Sequence, residues 1–258
     1  MAKVIVSTGR GGTGKSTFVA IATKYLPPPL LLFDIDPDMS LGAMLGVDLE
    51  AEGVSTIAEE LYDIQTSKEF GTMSTVTLPD KISYMLEVNC RYESERFDLI
   101  SLGAKWTEGC YCAPDDLLKV AIPRLAKNYA TVVADSPAGL EHLNRKILSD
   151  IDDMFVISDA SSKAIGHIQR IKKIAEQIKV MYGRLFVVGN YEFDTEMEEL
   201  MRQTGEAYLG KIDFDPSVKE FNMKGRSLLE LPDDSPACVS VRRVLAEAGY
   251  SMEGVRSG

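Results

Sequence analysis

Cysteine is scarce in this chain, and long apolar runs are absent. The four cysteines in 258 residues are Cys90, Cys110, Cys112 and Cys238. They are too few for a disulfide scaffold, and a reducing compartment would keep them as thiols. No apolar run reaches the roughly 18 residues of a membrane span, and residues 1–8 lack the basic start and the cleavage site of a signal peptide. We therefore expect a cytoplasmic protein without stable membrane association.

Basic residues are also in the minority. The 28 lysines and arginines face 39 aspartates and glutamates, which leaves a formal net charge of −11. This balance argues against a surface built for nucleic acid, so we expect no nucleic-acid partner. The chain has no Pro/Gly/Ser-rich linker, low-complexity run or internal repeat, and its 45% hydrophobic content can bury one large core. We expect a single domain over residues 1–258.

One glycine-rich stretch near the N-terminus has the sequence GRGGTGKST, from Gly9 to Thr17. It follows the β-branched run Val4–Val6 and precedes a helical pattern in which Phe18, Ile21 and Tyr25 share a face. A strand, a glycine-rich loop and a helix with the spacing Gly-x4-Gly-Lys-Ser predict a phosphate-binding P-loop.

The chemistry of this loop explains its composition. Glycines let backbone N–H groups curl around phosphate oxygens, and the helix N-terminus adds partial positive charge. Lys15 can reach the outer phosphates, and the Ser16 hydroxyl suits Mg²⁺. The predicted nucleotide-binding residues of the loop are Gly11, Gly12, Thr13, Gly14, Lys15, Ser16 and Thr17.

Acidic residues follow two predicted strands. Leu30–Phe33 ends in Asp34-Ile35-Asp36-Pro37-Asp38, and Thr131–Ala134 ends in Asp135, as in a Walker B strand. Carboxylates at the carboxyl ends of parallel strands lie at the edge where such sheets bind ligands. We predict that Asp34 and Asp135 hold Mg²⁺ together with Ser16, and that Asp36 orients the attacking water.

The remainder of the chain alternates between strand and helix patterns. Strands are predicted at Met154–Ile157 and Leu185–Val188, with a long helix between them over residues 163–181. A further strand is predicted over residues 82–88. Repeated β-α units indicate an α/β fold: a single-domain P-loop NTPase whose central, mostly parallel sheet carries helices on both faces.

Four segments together resemble the deviant Walker A superfamily that contains MinD, ParA and the nitrogenase iron protein. They are the P-loop, Asp34–Pro37, Val187–Asn190 and Leu209–Val218. The resemblance implies an ATPase that binds ATP or ADP with Mg²⁺, contacts adenine through Asn190 and forms an ATP-bound homodimer. The signature lysine of that superfamily, which reaches the partner's nucleotide, is replaced by Arg10, which keeps the charge. We predict Arg10, Lys15 and Asp36 as catalytic residues.

Within the superfamily, Gly109–Cys112 and Asp135–Leu143 resemble the CooC-type nickel-insertion ATPases. That subgroup matures carbon monoxide dehydrogenase, and related proteins mature acetyl-CoA synthase. The resemblance implies a metal site at Cys110 and Cys112, a nucleotide- or metal-dependent homodimer, and an apo-metalloenzyme of this kind as the client.

The spacing of Cys110 and Cys112 is compatible with such a site. In a loop, both sulfurs can converge on one ion and fill half of a four-coordinate site, square-planar for Ni²⁺ or tetrahedral for Zn²⁺. A second copy across a two-fold axis would complete it. Inert packing of the thiols or a strained redox disulfide are the alternatives that spacing alone leaves open.

Two other functions fit the superfamily. A positioning or regulatory ATPase of the MinD type needs a basic amphipathic C-terminal helix, but the tail has only Arg242 and Arg243 near its apolar positions. One of the ParA type needs a basic patch, which the acidic balance disfavours. An iron–sulfur-handling or electron-transfer ATPase uses well-separated cysteines or a Cys-x-x-Cys pair, which Cys-x-Cys does not match. We therefore favour a dimeric, Mg-ATP-dependent ATPase that binds nickel and assists its insertion.

Overall fold

A computed structural model describes residues 2–66, 84–104, 119, 123–137, 150–161 and 163–250. In these ranges the strands are β1 (Lys3–Gly9), β2 (Leu30–Asp34), β3 (Arg91–Glu93), β4 (Phe97–Ser101), β5 (Thr131–Asp135), β6 (Asp150–Ser158), β7 (Met181–Gly189) and β8 (Ala207–Lys211). The α-helices whose two ends lie in these ranges are α1 (Lys15–Thr23), α2 (Ser40–Met44), α3 (Ile57–Thr66), α4 (Ala164–Ile178), α5 (Thr195–Gln203), α6 (Pro216–Met223) and α7 (Pro236–Glu247).

The described strands form one eight-stranded sheet in the order β3-β4-β2-β5-β1-β6-β7-β8. All neighbours pair in parallel except β3, which is antiparallel to β4. The predicted α/β class with a mostly parallel central sheet is therefore confirmed. Because β1, β2 and β5 are parallel neighbours, their carboxyl ends meet at one edge of the sheet.

Strand β2 shows how the sheet is covered on both faces. All five of its residues are buried. Leu30 and Leu32 belong to one hydrophobic cluster with α1 and α7, whereas Leu31 and Phe33 belong to the other cluster. Side chains alternate between the faces of a strand, so a continuous apolar run requires a packed layer on each side.

Helix α1 carries the P-loop at its N-terminus and is anchored at both ends. Its residue Phe18 is buried, with its ring centroid 5.2 Å from that of Phe155 on β6. At the other end Arg96 donates from Nε to the carbonyl oxygen of Thr23 at 2.8 Å. A cation at a helix C-terminus satisfies free carbonyls and complements the helix dipole. The orientation of the loop is thereby tied to the core.

Two predicted elements differ in the structure. Residues 84–88 are helical rather than extended, and the amide of Asn89 donates to the carbonyl of Met85 at 2.8 Å. Met85 and Leu86 are buried while Tyr84 and Val88 are exposed, which is a helical rather than an alternating pattern. The long helix predicted to residue 181 ends at Ile178, because Lys179 adopts a left-handed conformation (φ 58°) and ends the helix.

None of the helices in the described ranges combines the length and the apolar character needed to span a bilayer.

A buried carboxylate, that of Asp153, lies toward the end of the sheet opposite the P-loop. Asp153 on β6 accepts bonds from Nε and Nη2 of Arg184 at 2.7 Å each, pairs with Lys3 at 3.0 Å and accepts a bond from the Tyr250 hydroxyl. Arg184 also donates to the carbonyl of Ala248 at 2.9 Å. These donors hold the pKa of Asp153 below its ordinary value, against the opposing effect of burial. The cluster joins three strands to the end of α7.

We expect Asp153→Asn to lower the free energy of unfolding by about 2–3 kcal/mol at pH 7, because it leaves the cationic donors without their shared acceptor. Since the folded-state pKa of Asp153 is depressed, its contribution is present above the unfolded pKa of about 3.9 and is lost as the pH falls through the folded value. Urea denaturation at pH 7 and pH 3 measures both effects.

The matched control is Glu220→Gln, which breaks the exposed pair between Glu220 on α6 and Lys224 just after that helix. It should leave the unfolding midpoint unchanged, since exposed pairs contribute little. Equal effects of the two substitutions would contradict the role of Asp153.

Candidate nucleotide-binding site

The glycine-rich loop connects β1 to α1 in a conformation that its glycines allow. Gly14 precedes the helix with φ 97°, and Gly9 has φ 152°. A Cβ on Gly9 would lie 2.2 Å from the carbonyl oxygen of Ile157 on β6, so a side chain cannot be accommodated there. Residues with side chains rarely adopt such φ values. The loop therefore has the shape that the sequence motif predicts.

Lys15 is buried at the centre of the loop. Its Nζ donates to the carbonyl oxygen of Arg10 at 3.1 Å, and Oγ1 of Thr13 donates to the same oxygen at 2.9 Å. Burial lowers the pKa of Lys15, while the charges of Asp135 and Asp36 oppose that shift. The ammonium thus lies between the loop carbonyl and the acidic edge of the sheet.

Two carboxyl groups end neighbouring strands at this edge. Asp34 and Asp135 occupy paired positions of β2 and β5. Oδ1 of Asp34 accepts from the amide of Asp36 at 3.3 Å, and its Oδ2 accepts from the amide of Leu41 at 3.0 Å. Burial, with the charge of Asp135 second, raises the pKa of Asp34 to about 8. Asp34 therefore organises the turn that leads from β2 into α2.

Asp135 differs from Asp34 in its hydrogen bonding. Both of its carboxyl oxygens are buried, and neither has a hydrogen-bond partner among the described residues. Burial raises its pKa to about 7, an effect that the nearby Ser16 hydroxyl and the Lys15 ammonium oppose. The Ser16 hydroxyl influences Asp135 without reaching the geometry of a full hydrogen bond. A buried carboxylate of this kind is costly unless a cation or a donor satisfies it.

The orphaned oxygens of Asp135 and the hydroxyl of Ser16 fit a hard divalent cation. Mg²⁺ takes oxygen ligands and is commonly held by one or two protein groups together with substrate phosphates and water. Among the described residues, no group of three or more His, Cys, Asp or Glu side chains could hold a metal ion. The residues at this edge therefore suit Mg²⁺ that arrives with a nucleotide rather than a closed metal cage.

Asp36 lies beyond Asp34 on the same turn and is only partly buried. Its Oδ1 accepts from the amide of Asp38 at 3.1 Å, and its carbonyl accepts from the amide of Met39 at 3.0 Å. Its charge acts on Lys15, Asp34 and Asp135. Asp36 is thus brought to the same acidic edge, on its more accessible side.

Asn190 lies at the far end of a cavity that begins at the P-loop. The cavity has a volume of about 540 Å³ and is lined by Gly12, Gly14 and Asn190, with Tyr191 and Phe214 near them. The two aromatic rings are exposed, and their centroids lie 5.6 Å apart. No sequence motif marks these two aromatic residues as part of the site, although Tyr191 directly follows Asn190. An aromatic surface next to a phosphate-binding loop is suited to a flat base.

Arg10 is engaged within its own chain. Its Nη1 lies 2.7 Å from Oδ2 of Asp159 and 3.0 Å from Oγ of Ser161. No local sequence pattern indicates this pairing, because Asp159 follows β6, far along the chain from the P-loop. A role of Arg10 toward a partner's nucleotide therefore requires the guanidinium to leave Asp159.

The cysteine pair Cys110 and Cys112 lies outside the described residues, so the metal site expected there stays a prediction. Of the other cysteines, Cys90 and Cys238 are both buried and free. Burial raises the pKa of the Cys90 thiol. Both side chains are buried, unlike the accessible thiol of a metal-binding cysteine.

The chain is similar along most of its length to known ATP-binding proteins. The chain is 33% identical over 249 residues to the uncharacterized ATP-binding protein MJ0685 of Methanocaldococcus jannaschii, covering 93% of this chain and 96% of the relative. It is 22% identical to the carbon monoxide dehydrogenase accessory protein CooC of Rhodospirillum rubrum, covering 98% of each chain. No family model matches the chain.

The solved structures with a similar fold include a ParA family ATPase and a MinD protein. A ParA family ATPase from Chlorobium tepidum superposes with a TM-score of 0.67 at 16% identity, covering 95% of this chain and 98% of that one. The MinD cell division protein of Aquifex aeolicus superposes with a TM-score of 0.66 at 21% identity, covering 97% and 98%.

The glycine-rich loop and the ATP-binding relative define a P-loop ATPase, and its fold is similar to that of the ParA and MinD structures. Within that class, the chain belongs to the family of the archaeal ATP-binding protein MJ0685.

We expect the unpartnered carboxyl of Asp135 to lower the free energy of unfolding when it is ionised. Its folded-state pKa is raised above the unfolded value, so ionisation favours the unfolded chain increasingly as the pH rises from about 4 to 7. Without nucleotide and Mg²⁺, Asp135→Asn should therefore raise the free energy of unfolding at pH 8 by about 1–3 kcal/mol, and the gain should vanish near pH 4. Urea denaturation at the two pH values measures this difference.

Asp36→Asn is the matched control, because that carboxyl is partly exposed and already accepts a backbone bond. It should show no comparable gain at pH 8. A loss of stability in Asp135→Asn at pH 8 would mean that the carboxylate has a stabilising partner in the nucleotide-free protein.

Proposed function

We propose that the protein is a homodimeric, Mg-ATP-dependent ATPase that binds Ni²⁺ through Cys110 and Cys112. It then assists insertion of the ion into an apo-metalloenzyme such as carbon monoxide dehydrogenase or acetyl-CoA synthase. The observation that carries the nickel role is the likeness to CooC along 98% of both chains, in a sequence that contains a Cys-x-Cys pair.

Nucleotide binding is proposed to use the loop and the adjoining cavity. The phosphates lie against the backbone N–H groups of Gly11–Thr17, and the Lys15 ammonium exchanges the Arg10 carbonyl for phosphate oxygens. Asn190 contacts the base, with Tyr191 and Phe214 beside it. ATP rather than GTP is the proposed substrate, in keeping with the ATP-binding relative.

Hydrolysis is proposed to depend on where the charged side chains of the site lie relative to the phosphates. Asp36 orients a water for in-line attack on the γ-phosphorus, and the bond to the ADP oxygen breaks. Lys15 and the loop amides stabilise the charge that develops on the phosphate oxygens. Ser16 and Asp135, with Asp34 behind them, would hold Mg²⁺, which neutralises phosphate charge when bound.

Dimer formation is proposed to link the nucleotide to the metal. Arg10 would leave Asp159 and reach the nucleotide of the partner subunit, as the corresponding lysine does in the superfamily. Two Cys-x-Cys pairs brought together across a two-fold axis would supply four thiolates to one nickel ion. Hydrolysis would then alter the dimer and with it the affinity for the ion.

A second candidate is a positioning or regulatory ATPase. It is favoured by the likeness of the fold to ParA-family and MinD structures. This candidate shares ATP binding and dimerisation with the first but needs no nickel, so metal binding separates the two. An iron–sulfur-handling role is a third reading, which iron analysis of the purified protein would reveal.

Lys15→Ala should abolish ATP turnover, because the loop loses the ammonium that is proposed to stabilise charge on the outer phosphates. Steady-state release of inorganic phosphate measures this. Lys172→Ala is the matched control, since Lys172 is an exposed lysine on α4 paired with Glu206. The control should retain full turnover, and unchanged turnover in Lys15→Ala would contradict the assignment.

Equilibrium binding of Ni²⁺ to the reduced protein, with molecular mass followed in parallel, tests the metal role. We expect about one nickel per two chains, coupled to dimerisation. The double variant Cys110→Ser/Cys112→Ser should lose this binding, whereas Cys238→Ala should retain it because that thiol is buried. Equally tight nickel binding by the double variant would reject the Cys-x-Cys site, and absence of specific uptake by the wild type would favour the positioning ATPase.

A further inference from the structure

A second cavity opens beside α2, away from the P-loop. It has a volume of about 850 Å³, and its walls come from residues 38–39, α2, the segment 46–56, Glu59 of α3, the end of β4 and Gly225. None of its described lining residues belongs to the glycine-rich loop or to the cavity at Asn190. The described lining of this cavity is therefore distinct from that of the cavity at the P-loop.

The charged groups around this cavity all have one sign. Asp38, Asp48, Glu50 and Glu59 line it, and its described lining residues include no lysine, arginine or histidine. Within the described part of the chain, none of the four carboxylates forms an ion pair. Four carboxylates around one concave surface produce a focused negative potential.

A buried hydroxyl at the base of the cavity is an independent sign of a ligand. Ser101, the last residue of β4, is fully buried and lines the cavity. Its Oγ has no hydrogen-bond partner among the described residues. It lies on the same sheet face as Leu99, whose side chain comes within 3.6 Å of a Cβ built on Gly42 of α2. The hydroxyl therefore faces α2 and the cavity, where a donor could satisfy it.

Apolar groups form the remaining wall. Met39, Val47, Leu49 and Val54 line the cavity together with the acidic residues. Val47 and Leu49 pack against the hydrophobic cluster that contains α1 and α7. This wall of the cavity therefore rests on the core of the protein. A ligand that fits must combine positive charge with an apolar stem, as amphipathic cations do.

A bare metal ion does not fit this arrangement. Oε2 of Glu59 already accepts from the amide and the hydroxyl of Thr56 at 2.8 and 2.9 Å, and Oδ1 of Asp48 accepts from the amide of Ala51 at 3.2 Å. No three of the acidic side chains in the described residues are placed to hold one ion. The carboxylates are spread around the cavity, which suits a ligand that spans it.

We propose that this cavity binds an organic cation, an ammonium or guanidinium group on an aliphatic stem. The cationic group lies among the carboxylates and donates to Oγ of Ser101, and the stem packs on the apolar wall. The same chemistry can come from a free diamine or guanidino compound, or from an arginine or lysine side chain of a partner protein.

Titration calorimetry on the full-length protein tests the proposal with two probes. The first is agmatine, a free guanidinium on an aliphatic stem. The second is the capped peptide acetyl-Ala-Leu-Arg-Leu-Ala-amide, with the citrulline peptide as its neutral isostere. We expect saturable binding of at least one cationic probe and none of the citrulline peptide. Binding of agmatine identifies a free cation, and binding of the peptide alone identifies a side chain of a partner.

Matched variants locate the binding. Asp48→Asn/Glu50→Gln should weaken it about tenfold, and Glu50→Gln alone should weaken it by about threefold, since each removes charge facing the ligand. Ser101→Ala should also weaken binding. Glu52→Gln removes a carboxylate from the same segment that does not line the cavity, and it should leave affinity unchanged.

The proposal is overturned if neither cationic probe binds at millimolar concentration or if the citrulline peptide binds as tightly as the arginine peptide. Equal weakening by Glu50→Gln and Glu52→Gln would also overturn it, because the attraction would then reflect the net charge of −11 rather than the cavity. These readouts do not involve nucleotide or nickel, so their failure is distinct from failure of the proposed ATPase.

Discussion

The register of three parallel strands is the constraint on which the rest of the site depends. Pairing of β5 with both β1 and β2 places Asp135 level with Ser7 on one side and Asp34 on the other. The glycine-rich loop starts at the end of β1, so the same register brings it next to both carboxyl groups. A shift of one residue would turn each carboxyl to the opposite face of the sheet. The packed apolar layers on both faces are what prevent such a shift.

The sheet edge that carries these carboxyl groups lowers the free energy of unfolding of the nucleotide-free protein. It buries a lysine and two carboxyl groups, lowering the pKa of Lys15 and raising those of Asp34 and Asp135. The oxygens of Asp135 remain without partners among the described residues. Such groups are tolerated where a ligand satisfies them, and functional sites are where perturbed pKa values concentrate. The stability of the fold is supplied elsewhere, by the two hydrophobic clusters and by the buried carboxylate of Asp153 at the other end of the sheet.

The turn after β2 connects the features of the functional edge. Asp34 accepts from the backbone of Asp36 and Leu41, and Asp36 in turn accepts from the backbone of Asp38 and Met39. Asp38 and Met39 already line the acidic cavity beside α2. One short segment therefore contacts both the nucleotide edge and the second cavity. Its side-chain hydrogen bonds are local, joining residues two to seven positions apart in the sequence.

Local features of the sequence determined the P-loop, the acidic strand ends, the alternation of strands and helices, and hence the α/β class. These depend on neighbours a few residues apart, such as Gly14 before α1 and Asp135 after a β-branched run. Tertiary structure alone decided that Arg10 pairs with Asp159, that Tyr191 and Phe214 meet beside Asn190, and that Ser101 faces α2. It also decided that residues 84–88 are helical. Each of these depends on contacts between segments distant in sequence, where packing overrides local preference because burial of apolar surface outweighs the small differences in propensity.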